Sequence, residues 1–125
     1  MSGFTNYAEN DVLDYLFGST VYVELHDGDP GEDAADNKIT TSDDANYVRK
    51  AVTMGAASGG KSVNTTAPSW TVNSGSAGYT VTHISLWDAV TAGNPLFKGE
   101  LLSPESRVAS GVYPIAVGQL VVELS

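Results

Sequence analysis

The sequence predicts an all-β domain, specifically an antiparallel β-sandwich of jelly-roll or immunoglobulin-like type, with one short N-terminal amphipathic helix. Segments in which polar and apolar residues alternate recur after residue 18, and turns rich in Gly, Ser, Asn and Pro separate them. Strands and helices do not alternate along the chain, which argues against a parallel nucleotide-binding sheet. The 125 residues suffice for one domain, so residues 1–125 are expected to form a single domain.

The predicted helix covers about residues 7–17. Asn6 is its expected N-cap, paired with Glu9 three residues later, and Gly18 is the expected left-handed residue at its C-terminal end. Apolar residues recur at helical spacing, so one stripe of the helix is apolar. This stripe packs on the core and, where it remains exposed, offers a possible docking surface, consisting of Val12, Leu13, Leu16 and Phe17.

The remaining chain reads as strands and turns. Ser103 and Pro104 are expected to end the fifth strand, and Pro114 indicates an edge or a bulge. The acidic connection, about residues 26–46, holds seven of the fifteen acidic residues and is expected to be an exposed, mobile loop. Strands are predicted at residues 20–25, 47–54, 68–73, 79–87, 95–102, 112–117 and 120–124.

Charge and composition exclude several classes of partner. Fifteen acidic and six basic residues give a net charge of −9, which argues against nucleic acid and anionic membranes as partners. The sequence has no cysteine, and no apolar run approaches the roughly 20 residues that a membrane span needs. The first residues show no basic segment followed by an apolar one, so no secretory signal is expected.

Motifs for catalysis fail on spacing or context. Residues 55–62 match the phosphate-loop pattern, but the residues that follow do not read as a helix, so the match is interpreted as accidental. His26 and His83 lie in strands without a recognisable nucleophile motif. Glu24, Glu100 and Glu123 fit exposed alternating positions, although with Asp88 they leave a glycosidase formally open. We therefore predict no enzymatic activity and no cofactor.

Two binding functions stay open as alternatives. The acidic stretch from Asp27 departs from the EF-hand pattern, so we expect no tight metal site, but a calcium-dependent adhesion domain remains an alternative. Trp70 and Trp87, with several tyrosines, are expected to pack in the core, and a carbohydrate-binding module is the second alternative.

Several stretches together resemble a family of small phage-encoded virion proteins that are commonly labelled tail-fibre-like. The resemblance covers nearly the whole chain and is carried by residues 4–18, 21–32, 47–60, 81–96 and 117–122. It implies a structural protein of a tailed-phage virion, assembled in the host cytoplasm, and it brings no catalytic or receptor-binding residue.

The predicted function is therefore a non-enzymatic β module mounted on the tail or tail fibre, with capsid decoration on the head as the alternative. The expected partners are other virion proteins of the tail or capsid, with the chain itself present as a homo-oligomer or in many copies. A β-domain of this kind docks through its helix or through an unpaired sheet edge.

Overall fold

The computed structural model describes residues 3–124 and has one helix followed by eight strands. All strand pairs are antiparallel, which confirms the predicted all-β class with a short N-terminal helix. The elements are α1 (Asn6–Leu16), β1 (Val21–His26), β2 (Lys50–Val52), β3 (Lys61–Val63), β4 (Ser69–Thr71), β5 (Tyr79–Trp87), β6 (Pro95–Arg107), β7 (Val112–Pro114) and β8 (Val121–Glu123).

Both predicted caps of the helix are wrong, the N-cap by one residue and the C-terminal glycine by its backbone conformation. The N-cap is Thr5 rather than Asn6, because the Thr5 hydroxyl accepts a hydrogen bond from the Ala8 N–H at 3.2 Å. At the other end, Phe17 is the C-cap with φ −100°, and Gly18 is not among the left-handed glycines. The Gly18 N–H bonds to the Tyr15 carbonyl at 3.4 Å, and this tightened last turn needs no left-handed residue.

The main sheet has four strands in the order β2-β1-β5-β6, so β1 and β5 are central and β6 is an edge. Opposite residues alternate between its two faces: Val23 pairs with Leu86 on one face, and Glu24 pairs with Ser85 on the other. Most residues of β1 are buried on both faces of the sheet. The alternation of polar and apolar residues predicts instead that one face is exposed to solvent.

Strand β6 is longer than predicted, because it continues through Pro104 to Arg107. Its pairing with β5 is interrupted, since Val81 pairs with Glu105 whereas His83 pairs with Glu100. Residues 101–104 therefore lie opposite a single β5 residue as a large bulge. A proline is tolerated in a bulge because its missing N–H breaks no ladder bond there.

Two short ribbons complete the strand architecture. β3 pairs with β8 and β4 pairs with β7, so the last two strands do not pair with each other. Strand β3 was not predicted, because its three residues are too few to show a periodicity. The segment from residue 55 to 78, expected as loops around one strand, thus supplies a strand to each ribbon.

One apolar cluster joins the helix, the four-stranded sheet and both ribbons. Leu13 of α1, Leu25 of β1 and Leu86 of β5 pack in it together with Trp70 of β4 and Val122 of β8. Glu24, His26 and Ser85 on the second face of the four-stranded sheet lie outside this cluster, although the neighbouring Tyr47 belongs to it.

The segment between β1 and β2, residues 27–49, is hereafter called the connection. It contains most of the stretch of about residues 26–46 that was predicted as an exposed loop, and it is exposed only in part. Ala34, Ile39 and Asp44 within it are buried. The Ile39 N–H bonds to the Leu25 carbonyl at 3.0 Å, and the Asp44 carboxylate accepts the Asn46 and Asn73 N–H groups, each at 3.0 Å. Local turns and these anchors hold the connection against the rest of the domain, while most of its acidic side chains stay exposed.

Candidate functional site

Buried polar side chains concentrate on the face of the four-stranded sheet that carries Glu24. They form a group that we call the polar cluster, and strands β1 and β5 with the end of the connection supply it. All its members are buried, which is uncommon for charged residues unless they are paired. Its members are Glu24, His26, Tyr47, Arg49, Ser85 and Trp87.

Glu24 lies at the centre of the cluster, and the prediction that it occupies an exposed alternating position is wrong. Its carboxylate accepts a hydrogen bond from the Tyr47 hydroxyl and one from Arg49 Nε at 3.2 Å, with Lys38 Nζ at 3.9 Å. The Tyr47 hydroxyl in turn accepts the Leu25 N–H at 2.8 Å. Burial and the neighbouring Glu24 charge raise the pKa of Tyr47, so the phenol remains protonated and donates to the carboxylate.

Arg49 is a buried cation that makes three hydrogen bonds, one from Nε and two from Nη1. Its side chain is 7% exposed, and besides Glu24 it donates to the carbonyls of Ala89 at 2.9 Å and Ala92 at 2.7 Å. The guanidinium also lies over the Trp87 ring, 3.9 Å from its centroid. The Arg49 side chain, at the end of the connection, therefore links the turn after β5 to β1.

His26 and Ser85 form a serine–histidine hydrogen bond, 2.7 Å between Nε2 and Oγ. The other ring nitrogen, Nδ1, lies 2.8 Å from the carbonyl oxygen of Asp36, which can only accept, so Nδ1 carries the hydrogen and Nε2 accepts the Ser85 hydroxyl. Trp87 Nε1 donates to the same hydroxyl oxygen at 2.8 Å. Burial lowers the pKa of His26, which favours the neutral ring that this pattern requires.

Sequence reasoning missed this pair, because Ser85 is 59 residues away from His26 and was not singled out. A signal was nevertheless present. The alternation in β1 and β5 places every second residue on one face, and antiparallel pairing of neighbouring strands brings such residues together. The strand alternation does not indicate that the connection contributes to the site, although its Asp36 carbonyl orients the His26 imidazole.

Two of the other candidate catalytic residues border the polar cluster on the same face, since His83 of β5 lies opposite His26 and Glu100 of β6 lies opposite His83. His83 contacts Thr82 Oγ1 at 2.8 Å, and Glu123 forms an ion pair with Lys61 at 3.1 Å. The Asp88 carboxylate accepts the Asn94 N–H at 2.7 Å, which lowers the pKa of Asp88 and closes the turn before β6. Glu100 is exposed on β6.

Both tryptophans proposed for sugar stacking are buried, Trp70 with 1% and Trp87 with 6% exposed surface. Trp70 packs on Tyr113 with ring centroids 5.9 Å apart and donates from Nε1 to the Val48 carbonyl at 2.8 Å. Their faces contact the protein itself, as predicted for core aromatics.

The phosphate-loop match has the wrong context, as expected. Lys61 and Ser62 open strand β3 rather than a helix, and the Ser62 hydroxyl donates to the Gly55 carbonyl at 2.7 Å.

In the connection, the Asp29 carboxylate accepts the Gly31 N–H at 2.9 Å, which lowers the pKa of that carboxyl. Within residues 3–124, no group of three or more His, Cys, Asp or Glu side chains is arranged to hold a metal ion.

The four residues of the predicted docking surface fall into two pairs. Leu13 and Phe17 are buried in the apolar cluster, and Phe17 packs on Phe97 of β6 with ring centroids 5.5 Å apart. Val12 and Leu16 are half-buried. The docking surface itself stays a prediction, and its outward-facing part is limited to the second pair.

Fold and site together define a small β-rich module whose polar cluster bonds to its own backbone and side chains. A protein-family model described as podophage GP4 fiber I protein gp80 matches residues 3–123. The chain therefore belongs to this family of podophage fibre proteins, and the resemblance drawn from the sequence is confirmed. Membership supports a structural role in a phage virion.

A search of curated proteins finds no match to the chain. The part of the chain that the structure describes contains no helix long and apolar enough to cross a membrane.

Proposed function

We propose that this chain is a non-enzymatic structural module of a phage tail fibre, present in several copies on each particle. The observation that carries the proposal is the fibre-family match, which extends over residues 3–123 and so includes the helix and all eight strands. Within this role, the four-stranded sheet and the two ribbons act as the two layers of a single β-sandwich domain, because they share one apolar cluster.

The geometry of the polar cluster favours a structural over a catalytic role. A hydrolytic serine needs an exposed hydroxyl, and its histidine needs a carboxylate that stabilises the imidazolium. Here Ser85 and His26 are fully buried, and a main-chain carbonyl occupies the place of the carboxylate. The Ser85 oxygen is also engaged by Trp87. The cluster therefore serves to hold the acidic connection on the sheet.

The fibre role requires contact with other virion proteins. On α1, the half-buried Val12 and Leu16 supply apolar surface next to Tyr15, which is 85% exposed. Tyrosine and small apolar side chains are well suited to such contacts. The net charge of −9 then faces solvent and keeps neighbouring particles apart.

Gold-labelled antibody on intact particles of the parent phage tests the placement. Label confined to the tail is expected. Label over the whole head would overturn the tail placement in favour of capsid decoration, and particles that carry none of the protein would overturn the virion role altogether.

A further inference from the structure

The outer edge of β6 is an unpaired template for another strand. β6 ends the sheet order, and it has thirteen residues, most of them exposed. No loop within residues 3–124 makes a backbone hydrogen bond to residues 96–104. A long, exposed edge of this kind pairs readily with a further chain unless charges or bulges oppose it.

The β6 sequence is complementary to itself in antiparallel orientation. Lys98 and Glu100 flank Gly99, so a two-fold axis at Gly99 places Lys98 of each copy opposite Glu100 of the other. One step outward, Phe97 faces Leu101, the first residue of the bulge, and both are already partly buried against the apolar cluster. The pairing therefore matches charge with charge and apolar with apolar side chains.

Neighbouring registers lose this match. A centre at Lys98 places two lysines opposite each other, and a centre at Glu100 places two glutamates opposite each other. A two-fold axis placed between two residues, for example between Lys98 and Gly99, would pair residues whose side chains lie on opposite faces of the sheet. Lys98 thus protects the edge against wrong registers and still permits the one centred on Gly99. Its partner within the chain, Glu32, is 96% exposed and 3.7 Å away, a contact that is easily exchanged.

The surroundings of Gly99 leave room for a second chain. A Cβ built on Gly99 would meet no atom within 4 Å, and a cavity of about 540 Å³ opens beside it, lined among others by Leu101 and Leu120. Leu102, in the bulge that follows, is fully exposed. Glycine inside a strand often marks a place where another backbone approaches closely.

We propose that β6 pairs with β6 of a second copy of this chain, in the antiparallel register centred on Gly99, to give a two-fold dimer with a continuous eight-stranded sheet. This interface rests on the proposed multi-copy role and names the contact by which copies associate. A two-fold contact of this type is closed, so it builds a dimer rather than an open filament.

Sedimentation equilibrium of the purified full chain tests the interface, with circular dichroism as a check of folding. The wild type is expected to show a monomer–dimer equilibrium with a dissociation constant below about 1 mM. Lys98→Glu and Glu100→Lys should each weaken the dimer roughly tenfold or more, because each replaces two attractive contacts by two repulsive ones. An equimolar mixture of the two variants should recover the dimer, and so should the double variant K98E/E100K.

Lys50→Glu is the matched control, since it makes the same charge change on β2, at the opposite edge of the four-stranded sheet, and should leave association unchanged. A wild type that stays monomeric would overturn the interface, as would a dimer or higher oligomer that ignores both single variants and their mixture. These outcomes are separate from the particle-labelling result, which concerns the fibre role and does not depend on β6.

Discussion

Both faces of the central strand β1 are buried from Val23 to His26, but different physical forces bury them. On one face, Val23 and Leu25 of β1 pack into the apolar cluster, where the removal of apolar surface from water supplies the stability. On the other face, Glu24 and His26 of the same strand are covered by the connection and satisfied by hydrogen bonds. The second arrangement tolerates no missing partner, because each desolvated polar group needs one.

This difference explains why a highly acidic segment lies against a sheet. The connection carries Tyr47 and Arg49 at its end, and both bond to Glu24. Its Asp36 carbonyl bonds to His26. The apolar face holds the elements of the domain together, and the polar face positions one loop. Substitutions at adjacent β1 residues can therefore separate the two contributions.

The largest expected loss comes from Glu24→Ala on the polar face. It leaves the buried Arg49 guanidinium without its carboxylate and the Tyr47 hydroxyl without its acceptor, which should lower the free energy of unfolding by about 4 kcal/mol. Urea denaturation followed by circular dichroism measures it. Glu123→Ala, which removes only an exposed ion pair on β8, is the control and should change stability by about 0.5 kcal/mol or less. Equal effects of the two variants would contradict the role of Glu24.

Leu25→Ala makes the comparison on the apolar face, one residue along. Leu25 is 0% exposed, so truncation removes buried methyl groups and leaves a cavity, at a cost of about 3 kcal/mol in the same urea experiment. The loss should be independent of pH, in contrast to losses on the polar face. A cost under about 1 kcal/mol would show that the helix and ribbons do not close tightly over this face.

Tyr47→Phe removes one oxygen and keeps the ring. The Leu25 N–H and the Glu24 carboxylate each lose a hydrogen-bond partner, and we expect a loss of about 2 kcal/mol. Tyr22→Phe is a suitable control, because Tyr22 lies in β1, the strand that carries Glu24 and Leu25, and is only half-buried. If the two variants were equally stable, the Tyr47 bonds would not contribute.

The pH dependence gives a smaller effect with a defined sign. Burial holds the pKa of His26 below its ordinary 6.5, so the unfolded chain binds a proton that the folded chain resists. The stability that neutral His26 contributes is complete above pH 6.5 and is lost as pH falls below it, by about 1.4 kcal/mol per pH unit at most. His26→Gln should flatten this slope in melting experiments between pH 7.5 and 5.5, whereas His83→Gln should retain it. An unchanged slope in the His26 variant would assign the effect to other groups.

The sequence predicted elements well where periodicity was long and poorly where distant contacts decide. β5 has the predicted bounds, because nine alternating residues between turns carry a strong signal. β3 and the extension of β6 depend on partners far along the chain. For the site, alternation places Glu24, His26 and Ser85 on one face, but it does not indicate that a polar loop covers that face.

Particles that carry Ser85→Ala test most directly whether the polar cluster is structural. Incorporation of the chain into purified virions, measured by quantitative mass spectrometry, and the infectious titre should be determined together on the same preparations. The structural account predicts that the two quantities stay in proportion, at wild-type levels or reduced together, because the hydroxyl only stabilises the fold. Virions with full incorporation of the variant but without infectivity would contradict it and assign Ser85 a chemical role.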